Sequence, residues 1–597
     1  MIKWKAHYGD LWEGLPVDVL PVSNGEFLPE SPTSEQLAIM ALADEETERA
    51  RRAFRMNRRE FVRTAAAFSI GVWAINQITG TQWGGYNAYG HNTLTNAACD
   101  LENPNAQLNN RPGEFIMDVQ SHHVDPNGTW RVTNPTIEAF FAAVWPQAGG
   151  AGGGLEDPYW PEQTPFRGGR EADPIENLGR FHYLKELYLD SSTNFCVLSA
   201  VPAEPSNQPL PIDEAALTVD TVKELAGGTK RTVMHAFVMP NRGSLGTSTS
   251  KYTEPLFMQE EFTLMRENLE LHGDKIRGWK VYTAWGDVPY ASGWFLDDPI
   301  GTAFLNNVVK VGDEYDIPKL VAAHKGFALP GFDQRAASPR DVGPAARAFP
   351  QVKFLIYHSG YDGEPQASYP GDDKVNSADR GVDTFVKSLR ENGMDAERYI
   401  PRGLAHGNSP NVYAETGSVW RSVMRNTRDA AHYLGKMIKH VGPRRICWGT
   451  DSLWYGSPQS EIVAFRSFDF SPKARELYNL PHGLEGDRWD PRADCHDASN
   501  YRRAHPHVRN WPTDGRAHPE RSIRNGVLGR NAAEAYRIDA DSKVNAIHCD
   551  EVQEMRDKGY LDGDGPTLRS PLASNSVYGE RTPKDVMHEL KSNPWSP

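Results

Sequence analysis

The stretch FIMDVQSHHVD, residues Phe115–Asp125, decides the fold of this chain. A short apolar run leads directly into side chains that can bind a metal ion. Because successive side chains of a strand point to opposite faces, Asp118, Gln120 and His122 share one face while His123 points to the other. The stretch therefore predicts a strand that ends at an active site.

Seven further β-rich runs follow, and three of them end on residues that can bind metal or transfer a proton: His324, His358 and Asp451. The predicted strands cover 194–200, 232–239, 277–283, 320–323, 354–357, 412–415 and 446–450. Helical patterns lie between several of them, at 257–272, 299–314, 383–392 and 420–440. Eight such units predict an α/β fold, a (β/α)₈ TIM barrel, whose catalytic residues lie at the C-terminal ends of its strands.

These strand ends resemble the amidohydrolase superfamily, and within it the amidohydrolase-related branch that includes aminocarboxymuconate semialdehyde decarboxylase. The family signature has Asp-x-His-x-His on the first strand, a His after the fifth and the sixth, and an Asp after the eighth. The matching positions here are Asp118, Gln120, His122, His324, His358 and Asp451. The stretch VLGRNAAEAY at 527–536 is also similar to the helix that closes these barrels. The resemblance covers roughly residues 114–539.

The resemblance implies a metal-dependent hydrolase, in which a metal-activated water attacks an amide, ester or lactone carbonyl. It implies one divalent metal ion, zinc, with manganese or iron as alternatives. His122, His324 and Asp451 would hold the ion, with a weaker contribution from Gln120. Asp451 would accept the proton of the water, and His358 would polarise the substrate carbonyl.

Gln120 departs from the family pattern, because it stands where the family has its first His. An amide oxygen is a neutral and harder donor than imidazole, so it should bind zinc less well and tolerate manganese or magnesium better. We expect Gln120 to be a weak ligand or to orient another ligand, since strand alternation keeps it on the same face as His122. The alternative is that His123 replaces it through a local twist of the strand.

Three further residues are predicted to bind substrate: Lys280, Glu415 and Trp285. Lys280 is a candidate partner for a substrate carboxylate or a carbamylated metal bridge, and a structural ion pair is the alternative. Glu415 is a candidate for binding substrate or for supporting the metal ligands. Trp285 opens an aromatic cluster, which suggests an aromatic or apolar small-molecule substrate, with loop packing as the alternative.

Two other functions remain open at this point. The first has the same metal site but a different reaction: a metal-dependent non-oxidative decarboxylase or hydratase that acts on an aromatic or unsaturated acid. The other is a non-catalytic binding barrel, in which the missing His reflects a degraded site.

Composition agrees with a folded enzyme. Apolar residues make up 39% of the 597 residues and charged residues 24%, as is usual for globular proteins. The net charge of -14 argues against nucleic acid or an anionic membrane as a partner, and a homodimer is left open. Because one barrel needs about 250 residues, we divide the chain into an N-terminal extension (1–113), the barrel (114–540) and a polar C-terminal tail (541–597).

The N-terminal extension contains a segment, 57–79, that resembles a twin-arginine export signal, because Arg58 and Arg59 precede an apolar run. The run is shorter than the roughly 20 residues that span a bilayer, so no stable membrane span is predicted. The localisation is therefore cytoplasmic, or exported by the twin-arginine route. A helix packed on the barrel is the alternative interpretation of the run, and 34–54 is predicted to be an amphipathic helix.

Long Gly- and Pro-rich segments interrupt the barrel after its first, sixth and eighth strands, at 146–174, 361–381 and 478–522. Each connects the C-terminal end of a strand to a later helix. These insertions are therefore predicted to gather over the active-site mouth as a lid that excludes water and shapes substrate choice.

Overall fold

The protein is described here by a computed structural model. It covers residues 32–53, 65–86, 114–135, 178–189, 191–204, 207–243, 256–285, 293–327, 333–361, 381–401, 406–485 and 522–558, with the single residues 19, 55, 61, 138 and 175. The predicted lid segments fall almost wholly outside these residues, as do Arg58, Arg59 and the tail beyond Lys558.

Ten described strands form two sheets. In chain order they are β1 (Gly84–Tyr86), β2 (Met117–Ser121), β3 (Phe195–Leu198), β4 (Thr232–Phe237), β5 (Ile276–Tyr282), β6 (Leu320–His324), β7 (Lys353–Tyr357), β8 (Val412–Glu415), β9 (Ile446–Cys447) and β10 (Phe468–Phe470). Strands β1 and β10 pair antiparallel outside the barrel. Strands β2 to β9 pair in parallel in sequence order.

Main-chain hydrogen bonds join the first barrel strand to the segment of the last. The Val119 N–H donates to the Trp448 carbonyl at 3.0 Å, and the Asp451 N–H donates to the Gln120 carbonyl at 2.9 Å. The predicted (β/α)₈ barrel is therefore confirmed. The same closure brings the end of β2 beside the segment that carries Asp451.

Helices follow the barrel strands and pack on their outer faces. The longer ones are Ile212–Leu225, Met258–His272, Pro299–Glu314, Val342–Ala348, Asp383–Glu391, Gly417–Val423, Thr427–His440 and Gln459–Ser467. The prediction of one continuous helix over 420–440 is wrong, because the chain breaks it near Asn426. The Asn426 side chain accepts hydrogen bonds from the N–H groups of Arg428 and Asp429, which is how a cap starts a new helix.

The stretch 527–536 closes the end of the barrel opposite the mouth. A side chain at Gly529 would collide with the main chain of Phe115, so only glycine allows this close approach. The Asn531 amide donates to the carbonyl groups of Pro443 and Ile446 at 2.9 and 2.7 Å. The predicted closing segment is therefore confirmed, and its Gly and Asn have physical reasons.

The apolar run of the N-terminal extension is a helix, Ala65–Thr79, that packs against the helix Ser34–Ala53. Its Ile70 and Ile75 are buried, and the Thr79 hydroxyl lies 3.0 Å from that of Thr427. These contacts support the packed-helix interpretation and give the twin-arginine interpretation no support. Within the described part of the chain, no helix combines the length and apolarity needed to cross a membrane.

The predicted boundary between barrel and tail falls inside the helix Ala540–Ile547, and a second helix, Glu551–Lys558, follows. Between them Asp550 is buried and pairs with buried Arg231 at 2.5 Å. Because Arg231 directly precedes β4, the start of the predicted tail is anchored to the barrel.

Candidate metal centre and active site

Four of the predicted site residues meet at the C-terminal mouth of the barrel, and all four are buried. The Gln120 amide donates from Nε2 to Asp451 Oδ1 at 2.8 Å, and the same Nε2 lies 3.2 Å from His358 Nε2. His122 Nε2 lies 3.3 Å from Asp451 Oδ1. One carboxylate oxygen of Asp451 therefore faces both Gln120 and His122.

The ring of His122 is held from two sides. Its Nδ1 lies 2.7 Å from the Ser199 carbonyl oxygen, to which it can donate. The Trp454 ring stacks on it, with centroids 5.5 Å apart and planes 15° apart. A histidine whose Nδ1–H is used in this way directs Nε2 into the site, as metal-binding histidines commonly do.

His324 lies farther from His122 and Asp451 than the predicted ligand set requires. Its ring stacks on Tyr282 at 4.6 Å and lies 4.9 Å from the His358 ring, while its Nε2 lies 3.1 Å from the Phe327 carbonyl. Among the residues that the structure describes, the set of three His, Cys or carboxylate donors within 4.8 Å of one another is a different one, formed by Asp395, Glu397 and His440. The structure thus brings His122 and Asp451 together and leaves His324 at the edge of the site.

His123 lies on the opposite side of β2, as strand alternation predicts. Its Nε2 lies 2.9 Å from the Thr218 hydroxyl on the helix Ile212–Leu225, and its ring lies 5.2 Å from that of Tyr183. It therefore faces the surrounding helices, and Gln120 is the side chain that faces the site.

The second carboxylate oxygen of Asp451 accepts a hydrogen bond from the Ser418 hydroxyl at 2.9 Å. Burial works to raise the pKa of Asp451, but its hydrogen bonds with His122 and Ser418 outweigh burial, so the pKa lies below its ordinary range. Asp451 is therefore an anion in the folded protein. The sequence contains no motif that identifies Ser418, which becomes relevant only because its helix begins beside the end of β8.

Two further buried carboxyl groups lie near Asp451. Burial raises the pKa of Asp118 to about 7 although it accepts hydrogen bonds from Thr450 and from the Gln120 N–H, and the charge of Asp451 raises it further. Burial also raises the pKa of Glu415 well above its ordinary value, with the charges of Asp451 and Asp118 adding to the effect. The mouth therefore holds three buried carboxyl groups, and a cation bound there would favour their ionised forms.

The backbone is strained on either side of the site. His358, Ser359 and Asp451 have φ angles of 54°, 50° and 62°, and each such left-handed residue other than glycine costs about 1–3 kcal/mol. Strain of this kind persists only where surrounding contacts fix the conformation. At the ends of β7 and β9, surrounding contacts therefore fix the direction of the side chains in spite of the backbone strain.

Lys280 and Trp285, two of the three predicted substrate-binding residues, lie in different surroundings. The Lys280 ammonium is buried and lies 3.3 Å from the centroid of the Tyr357 ring and 4.5 Å from that of Tyr282. Trp285 lies just past β5, where its main chain contacts Tyr282 and Asn241, and the residues after it, 286–292, are outside the described part. Lys280 thus lies among aromatic rings, while Trp285 is placed at the start of a loop.

Residues 264–538 match the family model described as amidohydrolase. Over these residues the barrel is similar to the amidohydrolase family. The predicted resemblance to this family is thereby confirmed, and with it the prediction of an enzyme. A search of curated proteins found no match to this chain.

Solved structures with a similar fold include three whose names give a decarboxylase activity or a bound metal. A 5-carboxyvanillate decarboxylase from Sphingomonas paucimobilis is 13% identical, with 71% of this chain and 99% of that one covered and a TM-score of 0.32. A dihydroxybenzoic acid decarboxylase from Polaromonas with bound manganese is 13% identical, with 62% and 97% covered and a TM-score of 0.31. An amidohydrolase from Burkholderia multivorans with bound zinc is 13% identical, with 71% and 100% covered and a TM-score of 0.30.

The outward position of His123 predicts how stability depends on pH. Burial lowers the pKa of His123 from 6.5 to about 4, so the folded protein keeps this ring neutral where the unfolded chain binds a proton. This contribution to stability is therefore present above pH 6.5 and is lost as pH falls towards 4. We expect the His123→Gln variant to lose about 2 kcal/mol less unfolding free energy than wild type between pH 7 and pH 5, measured by urea titration. Equal losses in both proteins would contradict this expectation.

Proposed function

We propose that the protein is a metal-dependent hydrolase, in which a water at the barrel mouth attacks an amide, ester or lactone carbonyl. The observation that carries the proposal is the 3.3 Å distance between His122 Nε2 and Asp451 Oδ1. Two donors that each lie about 2.1 Å from one tetrahedral ion are separated by roughly this distance. His122 and Asp451 are therefore the two residues we assign most directly to a divalent ion.

The Gln120 side chain fits the same ion if its amide turns over. As it stands, Nε2 points at Asp451 and the buried Oε1 has no hydrogen-bond partner among the described residues. Turning the amide would place its oxygen beside Asp451 Oδ1. Two oxygens so close together repel each other unless a cation lies between them. The donor set of Gln120, His122 and Asp451, with His324 as a fourth group at the edge, would then hold a divalent ion.

The proposed chemistry divides among the residues of the mouth. When bound, a divalent ion lowers the pKa of water towards about 7 and so supplies a nucleophile at neutral pH. Asp451, which is ionised, accepts the proton of that water. His358 has its pKa lowered to about 4 by burial, so it is neutral at pH 7.

The tautomer of His358 follows from its neighbours. Its Nδ1 accepts a hydrogen bond from the Ser418 N–H at 3.4 Å, which leaves the proton on Nε2. A neutral ring with an Nε2–H can donate to the carbonyl oxygen of a substrate and stabilise the oxyanion that forms there. This is the role we propose for His358.

A decarboxylase of aromatic acids is the second candidate, and Lys280 is the observation that favours it. A buried ammonium against two tyrosine rings could attract a carboxylate and an aromatic ring together. The two reactions differ in their products. A decarboxylase releases carbon dioxide from a hydroxybenzoic acid, whereas a hydrolase releases acid from an ester or lactone.

Metal analysis of paired variants tests the site without an assay. We expect wild-type protein to contain about one equivalent of zinc, manganese or iron, and His122→Ala to lose it, because a ligand is removed. His123→Ala is the matched control, since the neighbouring ring faces Thr218 outside the barrel, and it should keep the metal. Elemental analysis per chain gives the answer. A wild-type protein that remains metal-free after reconstitution would count against the proposal.

A further inference from the structure

The Glu415 carboxylate, at the end of β8, binds main-chain groups on both sides. Its Oε2 accepts a hydrogen bond from the His358 N–H at 2.7 Å, and its Oε1 accepts one from the Gly417 N–H. Its own carbonyl oxygen accepts a hydrogen bond from the Ser359 hydroxyl at 2.7 Å. Both side-chain oxygens are therefore engaged by the protein itself.

These contacts fall on an unusual turn at the end of β7. His358, Ser359 and Gly360 follow one another with φ angles of 54°, 50° and 58°. Glycine adopts this left-handed conformation readily, but histidine and serine do so only when other contacts hold them. Glu415 supplies such contacts to both of these residues, through its carboxylate and through its carbonyl group.

The chain leaves room for this carboxylate by using glycine at two places around it. A side chain at Gly449 would collide with Glu415 Oε1, and one at Gly417 would come within 2.7 Å of Glu415 Oε2 and of His358 Nδ1. Three strand ends, those of β7, β8 and β9, thus meet around one buried carboxylate. The packing leaves little freedom for the carboxylate to turn towards a substrate.

The turn determines where the His358 ring lies. With its main chain held in the left-handed conformation, the ring places Nε2 3.2 Å from Gln120 Nε2 and Nδ1 3.4 Å from the Ser418 N–H. A relaxed backbone at the same residue would direct the ring elsewhere, because the Cα–Cβ direction follows the backbone dihedral angles.

We propose that Glu415 is a positioning residue for His358, which it holds through the main chain of the left-handed turn, and that it does not bind substrate. The catalytic part of this proposal rests on the proposed role of His358. The structural part does not, because it concerns the turn alone and can be measured in the absence of substrate.

The structural part is tested by amide hydrogen exchange over residues 355–361. Glu415→Gln keeps the size of the side chain but replaces an acceptor oxygen by a donor, so one main-chain N–H loses its partner. We expect exchange in this segment to rise about 10-fold, the scale for losing one buried hydrogen bond. Glu261→Gln is the matched control, because Glu261 is also buried and accepts a main-chain N–H, that of Met239, at 3.0 Å beyond β4. The control should leave this segment unchanged.

The catalytic part is tested by kinetics with a p-nitrophenyl ester. We expect Glu415→Gln to lower kcat about 100-fold, the scale for misplacing a catalytic group by 1 Å, with KM changed less than about twofold. In a His358→Gln background the same change should have almost no further effect on kcat, because the group it positions is gone. If Glu415 instead bound substrate directly, Glu415→Gln would raise KM, and it would do so equally in the wild-type and His358→Gln backgrounds.

The outcomes separate the two proposals. Unchanged exchange at 355–361 in both Glu415→Gln and Gly449→Ala overturns the positioning role whatever the activity. Faster exchange with full activity in His358→Gln keeps the positioning role and removes His358 from the chemistry. If Glu415→Gln does not fold, Gly449→Ala serves instead, since its methyl group displaces the carboxylate, and it should also speed exchange at 355–361.

Discussion

Replacing Asp451 with asparagine should reduce turnover of an ester on the order of 1000-fold, within the range for loss of a positioned proton acceptor, while the protein stays folded. The carboxylate is ionised because its hydrogen bonds with His122 and Ser418 stabilise the charge against burial. An amide in its place has no charge to hold a cation and no basicity to accept a proton. Steady-state kinetics with a p-nitrophenyl ester measure the effect.

Asparagine is the right replacement because of the backbone at this position. Asp451 has a φ angle of 62°, and asparagine is one of the few residues that adopt the left-handed region without a large penalty. Asp451→Ala would mix loss of chemistry with loss of stability. The Asn variant should therefore keep the wild-type melting temperature within a few degrees, as thermal unfolding would show.

Asp395→Asn is the matched control for this prediction. Asp395 is also buried and also contacts a histidine, His440, at 2.9 Å, but it caps the short helix Ala396–Tyr399, which precedes β8. It should retain wild-type turnover. Substantial turnover in Asp451→Asn would remove Asp451 from the mechanism, and equal losses in both variants would mean that a buried Asp–His pair matters only for folding.

The positions of the strand ends could be read from the sequence because barrel geometry is regular. Alternation along β2 placed Gln120 and His122 on the inner face and His123 on the outer, and the structure has them so. The closing segment could be read for a similar reason, since Gly529 and Asn531 each satisfy a local steric or hydrogen-bonding requirement.

The contacts that fix the site could not be read in the same way. Ser418 binds Asp451 through a hydroxyl on a short helix, and Ser199 orients His122 through a main-chain carbonyl. Neither contact leaves a pattern in the sequence, because one depends on where a helix begins and the other does not depend on a side chain. The left-handed turn at His358 is hidden for the same reason: nothing in that residue type predicts it.

Glu415 illustrates how a residue can be found from the sequence while its role stays open. Its place at a strand end marked it as a candidate for substrate binding or for supporting the metal ligands. Only the structure shows that both of its oxygens accept main-chain N–H groups. A carboxylate whose two oxygens both accept main-chain hydrogen bonds can hold neighbouring residues in place. Its position at a strand end alone does not distinguish it from a carboxylate that faces a ligand.

Replacing Gln120 with histidine should increase zinc affinity about 10- to 100-fold, the range over which single groups around a metal change its binding. Imidazole is a stronger and softer donor for zinc than an amide oxygen. The replacement also removes the Nε2 donor that now bonds to Asp451 Oδ1 at 2.8 Å, so an entering ion no longer competes with that hydrogen bond. Isothermal titration of metal-free protein with zinc and with manganese measures both affinities.

The ratio of the zinc affinity to the manganese affinity tests the role of Gln120 better than either affinity alone. Manganese prefers oxygen donors, so its affinity should change little or fall in Gln120→His while that of zinc rises. Gln120→Glu is the informative companion, because a carboxylate oxygen should favour manganese and magnesium more than zinc. If neither replacement changes the preference between the two metals, Gln120 does not contact the ion, and its hydrogen bond to Asp451 would be its only role in the site.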